Sequence, residues 1–165
     1  MDKLCFEGTV ISGISKYSEL EFPDKTKIKE APDDWPQNLV KGSLNIRIDE
    51  DGYPKEFSNL GHQNDTRILD KIQFQPEFII PGHLIKNNKL IPSQECPNRG
   101  NAQVWRVTFI TKCPGGSTAC WVVRRFGSTI YRDLEIVSDI HLRNHFKLED
   151  GDRVTVLMFG QWDKT

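Results

Sequence analysis

Apolar and polar residues in this chain mostly alternate with a period of two, the spacing that gives a strand one buried and one exposed face. Residues 4–12 read as a first strand, with the β-favouring Phe6, Thr9 and Ile11. Residues 43–48 put Leu44, Ile46 and Ile48 on one face, and the run Asp49-Glu-Asp-Gly52 ends that strand as a turn. The clearest strands are 102–112 and 119–126, joined by Pro114-Gly-Gly-Ser117 as a hairpin turn. Shorter strands are expected at 134–137 and 153–159. Residues 78–85 look extended but are broken at Pro81-Gly82, and 86–89 suggest a hairpin turn with Leu90 and Ile91 continuing beyond it. Helical spacing is confined to 65–72 and to 140–146, where Asp139 can cap the first turn. Residues 13–38 hold Pro23, Pro32 and Pro36 without sustained periodicity. They predict a long excursion of the functional or mobile kind.

These elements predict a single mostly-β domain over residues 1–165, with six or seven strands and one short helix near its end. Many short strands spaced by turns favour a barrel or a sandwich. A closed barrel is preferred because closure removes exposed strand edges.

Charge narrows the function. The 165 residues carry a formal net charge of −1, with a pI of about 6.4, which argues against a general nucleic-acid coat. No apolar run approaches the roughly 20 residues of a membrane-spanning helix, and Met1-Asp-Lys-Leu-Cys-Phe-Glu7 does not read as a secretory signal, so a cytoplasmic location is expected. The four cysteines are Cys5, Cys96, Cys113 and Cys120, with no Cys-x-x-Cys pair to suggest structural zinc. Cys5 and Cys120 sit in apolar strand-like runs and read as buried thiols.

Candidate chemistry falls in three places. Ser43 and Asn45 put a hydroxyl and a side-chain amide two residues apart, on one face of a strand. Glu135 stands in a strand just ahead of His141-Leu-Arg-Asn144, where Arg143 can fork onto phosphate. Val122-Val-Arg-Arg-Phe-Gly-Ser128 sets two arginines before a bend whose N–H groups can face an anion, though only one arginine can face a pocket.

Four stretches, in order, resemble the archaeal CTP-dependent riboflavin kinase family. They are Phe6-Glu-Gly-Thr-Val-Ile-Ser-Gly13, Lys41-Gly-Ser-Leu-Asn45, Leu134-Glu-Ile-Val137 with His141-Leu-Arg143, and Leu148-Glu-Asp-Gly-Asp152. They span nearly the whole chain and match densely over about a quarter of it. The resemblance implies a cradle-loop barrel of six strands and transfer of a phosphoryl group from CTP, or another nucleoside triphosphate, to riboflavin, giving FMN. It implies Mg²⁺ held by Ser43 and Asn45, and Glu135 as the residue that orients or deprotonates the accepting hydroxyl. Nucleotide would lie against Gly13, Ser15, Lys16, Ser18, His141, Leu142, Arg143 and Asn144, and flavin against Thr129 and Glu135. The chain departs from the family pattern after the first strand. A Gly-x-Gly-x-Gly loop there is replaced by Gly13-Ile-Ser-Lys-Tyr-Ser18, with one glycine.

Two other functions remain open on the sequence. One is a barrel that binds nucleotide or flavin without turnover. The other is a DNA-reading barrel using Lys112, Arg124, Arg125 and Arg132. The four tryptophans offer stacking surfaces, although Trp105 and Trp121 lie in strand runs and read as core or barrel lining.

Overall fold

Strand alternation decides what fills the interior. The structure is a computed structural model that describes residues 1–12, 20–40, 44–59, 64–112 and 115–163. Its strands are β1 (Asp2–Ile11), β2 (Leu44–Ile48), β3 (Phe74–Gln75), β4 (Phe78–Ile80), β5 (Ala102–Lys112), β6 (Gly115–Arg125), β7 (Asp133–Val137) and β8 (Arg153–Trp162). Among the described residues, two short α-helices, α1 (Lys55–Asn59) and α2 (Leu142–Phe146), join three 3-10 turns at Lys25–Lys27, Thr66–Asp70 and Gly82–Leu84.

Six strands close a ring in the order β8-β1-β2-β7-β6-β5, and β5 pairs back onto β8. Every pairing in the ring is antiparallel. Strands β3 and β4 lie outside the ring, against β8 and β5. The expected closed six-stranded barrel is therefore present. Phe6 and Val10 of β1, Leu44, Ile46 and Ile48 of β2, Trp105, Val107 and Phe109 of β5, and Val154, Val156 and Met158 of β8 point inward as one core.

The first turn is pinned by close backbone approach. Glu7 N donates to Gly52 O at 2.8 Å, and a Cβ on Gly52 would stand 2.1 Å from Glu7 O. Only glycine fits the end of the Asp49–Gly52 turn.

Several elements differ from the sequence expectation, each for a local reason. Residues 20–40 form an ordered strap over the outer face of β5 and β6. Leu20, Ile28 and Trp35 of the strap join Phe78, Val104, Trp121 and Val123 in a second apolar cluster. Trp35 meets Phe78 and Trp121 edge-on, with centroids 5.0 and 5.2 Å apart. Arg106 stacks on Trp121 at 4.7 Å and binds Asp34 of the strap, with Nη2 donating to Oδ1 at 2.6 Å. Lys86 exchanges backbone hydrogen bonds with Glu21 of the strap, and Leu90 and Ile91 lie outside any strand. Strand β6 begins earlier than expected, at Gly115. The helix expected from residue 140 starts at Leu142, because His141, not Asp139, is its cap. Cys5, expected to be buried, is exposed on β1, whereas Cys120 is buried in the core. Among the described residues no helix is long and apolar enough to cross a membrane.

Candidate functional site

Strands β2 and β7 bring the first candidate residues together. Leu44, Ile46, Leu134 and Ile136 point into the core, so alternation turns Asn45, Arg47, Asp133 and Glu135 to the outer face. Asn45 is the direct cross-strand partner of Glu135, and Arg47 of Asp133. Opposed residues in an antiparallel pair sit about 5 Å apart. Arg47 and Asp133 form an ion pair beside them. Asn45 and Glu135 are 5% and 4% exposed, an uncommon setting for an amide and a carboxylate on a barrel's outer face.

A third residue reaches the same row. Ile11 of β1 is the cross-strand partner of Asn45 on its other side, and Arg143 Nη2 donates to Ile11 O at 3.1 Å. The row Arg143, Ile11, Asn45, Glu135 therefore runs across three adjacent strands. Arg143 also donates to Asp150 Oδ1 at 2.6 Å, and Asp150 is bound by the Ser12 hydroxyl. The Ser12 hydroxyl and the Arg143 guanidinium hold the Asp150 carboxyl below its ordinary range. The chain thus supplies its own anion to Arg143. Sequence reasoning missed this partner, although Asp150 lies in the Asp-Gly turn that the sequence marks.

The other candidates sit elsewhere. His141 is exposed, and its Nδ1 accepts from Asn144 N at 3.3 Å, closing the first turn of α2. Leu142 is buried in the barrel core, and Asn144 is exposed. Thr129 is exposed in the loop before β7, and α2 follows that strand, so five strand residues, about 16 Å, separate the two ends. Gly13, Ser15, Lys16, Ser18 and Ser43 lie outside the described residues.

Asn45, beside the Glu135 carboxylate, offers a hard oxygen donor that suits Mg²⁺, which takes few protein ligands and leaves the rest to water and phosphate. Among the described residues no group of three or more His, Cys, Asp or Glu side chains could hold a metal ion, and Mg²⁺ bound in this way does not require one.

The two arginines of β6 have different surroundings from those the sequence suggests. Both are buried. Arg125 Nη1 donates to Asn88 Oδ1 at 2.7 Å. Arg124, on the inner face, pairs with Asp70 from the Thr66–Asp70 turn and donates to Arg125 O at 3.2 Å and Ser128 O at 3.4 Å. Gly127 adopts a positive φ of 79° and donates its N–H to Asp70 Oδ2 at 3.2 Å. The bend does face an anion, and that anion is Asp70. Lys112 pairs with Glu7 at 3.1 Å, so three of the four cations of the DNA-reading alternative are engaged within the chain.

Around Arg124 the hydrogen bonding is incomplete. Gln103 Oε1, Trp105 Nε1 and Arg124 Nε are buried and have no hydrogen-bond partner among the described residues. Gln103 faces Arg124 across the β5–β6 pairing, and Trp105 follows two residues on, on the same inner face. Left unpaired, each atom costs about 1–3 kcal/mol. Three such costs equal a large share of the roughly 5–15 kcal/mol that holds a domain folded.

No protein-family model matches the chain, and no curated protein sequence matches it.

Proposed function

We propose that this barrel is a riboflavin kinase-like phosphotransferase, moving a phosphoryl group from CTP, or another nucleoside triphosphate, to the hydroxyl of riboflavin. What supports the proposal is the row Arg143, Ile11, Asn45, Glu135, because it gathers a guanidinium, an amide oxygen and a carboxylate from three separate motifs. Each residue type suits one task in that reaction. Asn45, together with Ser43, would hold Mg²⁺, which when bound offsets the charge of the nucleotide phosphates. Glu135 accepts a hydrogen bond from the substrate hydroxyl and aims its oxygen at the γ-phosphorus. As the new O–P bond forms, the bond to the β-phosphate oxygen breaks, the nucleoside diphosphate leaves, and the hydroxyl proton passes to Glu135. Arg143 steadies phosphate once its donors turn from Asp150, an exchange of one anion for another. Burial of Asn45 and Glu135 strengthens every charge interaction made there.

A second reading is a barrel that binds nucleotide or flavin without turnover. One observation favours it: Arg143 is already bound to Asp150. Incubating the protein with riboflavin, Mg²⁺ and each of the four nucleoside triphosphates separates the two. The kinase reading requires FMN to form. The binding reading requires a ligand-dependent rise in thermal stability with no product.

A further inference from the structure

We propose that Gln103, Trp105 and Arg124 bind one internal water molecule, held as a resident ligand between strands β5 and β6 and the Thr66–Asp70 turn. The inference stands apart from the phosphotransfer reading and rests on three unpaired atoms. Gln103 and Arg124 are opposed partners of β5 and β6. Trp105 is diagonal to Arg124, since it opposes Val122. Their inner-face placement follows from Trp105 and Val122 in the barrel core, with Val104 and Val123 on the outer cluster. Opposed and diagonal neighbours on one sheet face lie within about 5–8 Å, which long side chains span. One small molecule can therefore meet all three atoms.

The chemistry of those atoms selects the occupant. Trp105 Nε1 and Arg124 Nε each donate, and Gln103 Oε1 accepts. The ligand must accept two hydrogen bonds and give one, which a water does with a hydrogen to spare. Charge excludes an anion. Arg124 is already neutralised by Asp70, and a further negative group would be buried without its own partner. Near-complete burial excludes an occupant in open contact with solvent, since Trp105 is 0%, Gln103 4% and Arg124 5% exposed. Internal waters in proteins typically make about three hydrogen bonds to polar groups that would otherwise be orphaned.

The position of the site gives the water a structural task. Arg124 reaches Asp70 with Nη1 and Ser128 O with Nη2, and its Nε makes no hydrogen bond among the described residues. A water on Nε links the guanidinium to Gln103 and Trp105 of β5. The Thr66–Asp70 turn, the end of β6 and the start of β5 then form one hydrogen-bonded unit. Arg124, one of the two arginines that the sequence sets before the Gly127 bend, then acts as a wet internal tie.

The test uses the whole protein in solution and in the crystal. In water-selective NMR, the Trp105 indole N–H should show a cross-relaxation peak with a long-resident water, its resonance assigned with Trp105→Phe. A high-resolution crystal structure should show a solvent peak at about 2.7–3.2 Å from all three atoms. In Gln103→Leu the indole–water peak should weaken or vanish. Should that variant fail to fold, the wild-type measurements still decide. The proposal is overturned by an indole N–H with no long-resident water. It is equally overturned by crystal coordinates in which the three atoms are satisfied by each other or by other protein groups.

Discussion

Removing the carboxylate of Asp70 strands the buried Arg124 guanidinium. The Arg124 side chain is 6% exposed and that of Asp70 is 22% exposed. Deleting one partner of a buried ion pair typically costs about 3–5 kcal/mol, because the survivor keeps its desolvation penalty. Two features place Asp70→Ala near the lower bound. Arg124 retains bonds to the carbonyls of Arg125 and Ser128, and the partial exposure of Asp70 lets water reach the vacated side. The expected loss is about 3 kcal/mol, or a fall in Tm of about 6–12 °C for a chain of this size. Arg124→Met should cost less, about 1–2 kcal/mol, since Asp70 keeps the Gly127 N–H and its contact with solvent. The double variant should cost well below the total of the two single losses, with a coupling of about 2 kcal/mol, because no buried charge remains. Urea unfolding followed by tryptophan fluorescence and far-UV circular dichroism measures all three. A loss below about 0.5 kcal/mol for Asp70→Ala, or a coupling near zero, would refute the buried-pair reasoning.

Three further outcomes follow from the packing. Trp35→Ala removes a buried ring from between Phe78 and Trp121 and should cost about 3–5 kcal/mol in the same urea assay, whereas a strap loosely laid on the barrel would cost under about 1 kcal/mol. Burial pushes the Cys120 thiol up to about 12, so iodoacetamide should leave it unmodified in the folded protein at neutral pH and modify it after unfolding; rapid labelling of folded protein at Cys120, read by mass spectrometry, contradicts this. Hydrogen bonding from Arg106 lowers the Asp34 carboxyl from its ordinary value. Its native pKa is depressed, so the stabilisation of the strap is complete above the unfolded value of about 3.9 and is lost as pH falls through the native value. The near-UV signal of the Trp35–Trp121 pair should hold from neutrality down to about pH 4, and decay at milder pH would contradict the assignment.

The barrel was legible in the sequence because both faces of its strands carry a local signal. Leu44, Ile46 and Ile48 alternate as a period of two requires, and all three reach the core. The strap was not legible, because its apolar anchors Leu20, Ile28 and Trp35 follow no period and find their partners far along the chain, in β4, β5 and β6. The extra length of β6 was hidden by Gly115 and Gly116, which look like turn residues but pair with Lys112 and Thr111 of β5. The adjacency of Asn45 and Glu135 depends on the β2–β7 register, a pairing of distant segments that local pattern does not specify. The partners of the two β6 arginines were equally invisible. Asp70 lies 54 residues from Arg124, and Asn88 lies 37 from Arg125. The cap on α2 shows a finer limit. Asp139 is the stronger capping residue by type, yet the helix starts two residues later than expected and His141 occupies the position.

Transfer of labelled γ-phosphate to riboflavin measures the central proposal most directly, run with Mg²⁺ and CTP, ATP, GTP or UTP in turn. Wild-type protein should yield labelled FMN with at least one donor, while Asn45→Ala and Glu135→Gln, confirmed as folded by circular dichroism, should yield none. Absence of FMN with every donor, or undiminished transfer by Asn45→Ala, would contradict the phosphotransfer account.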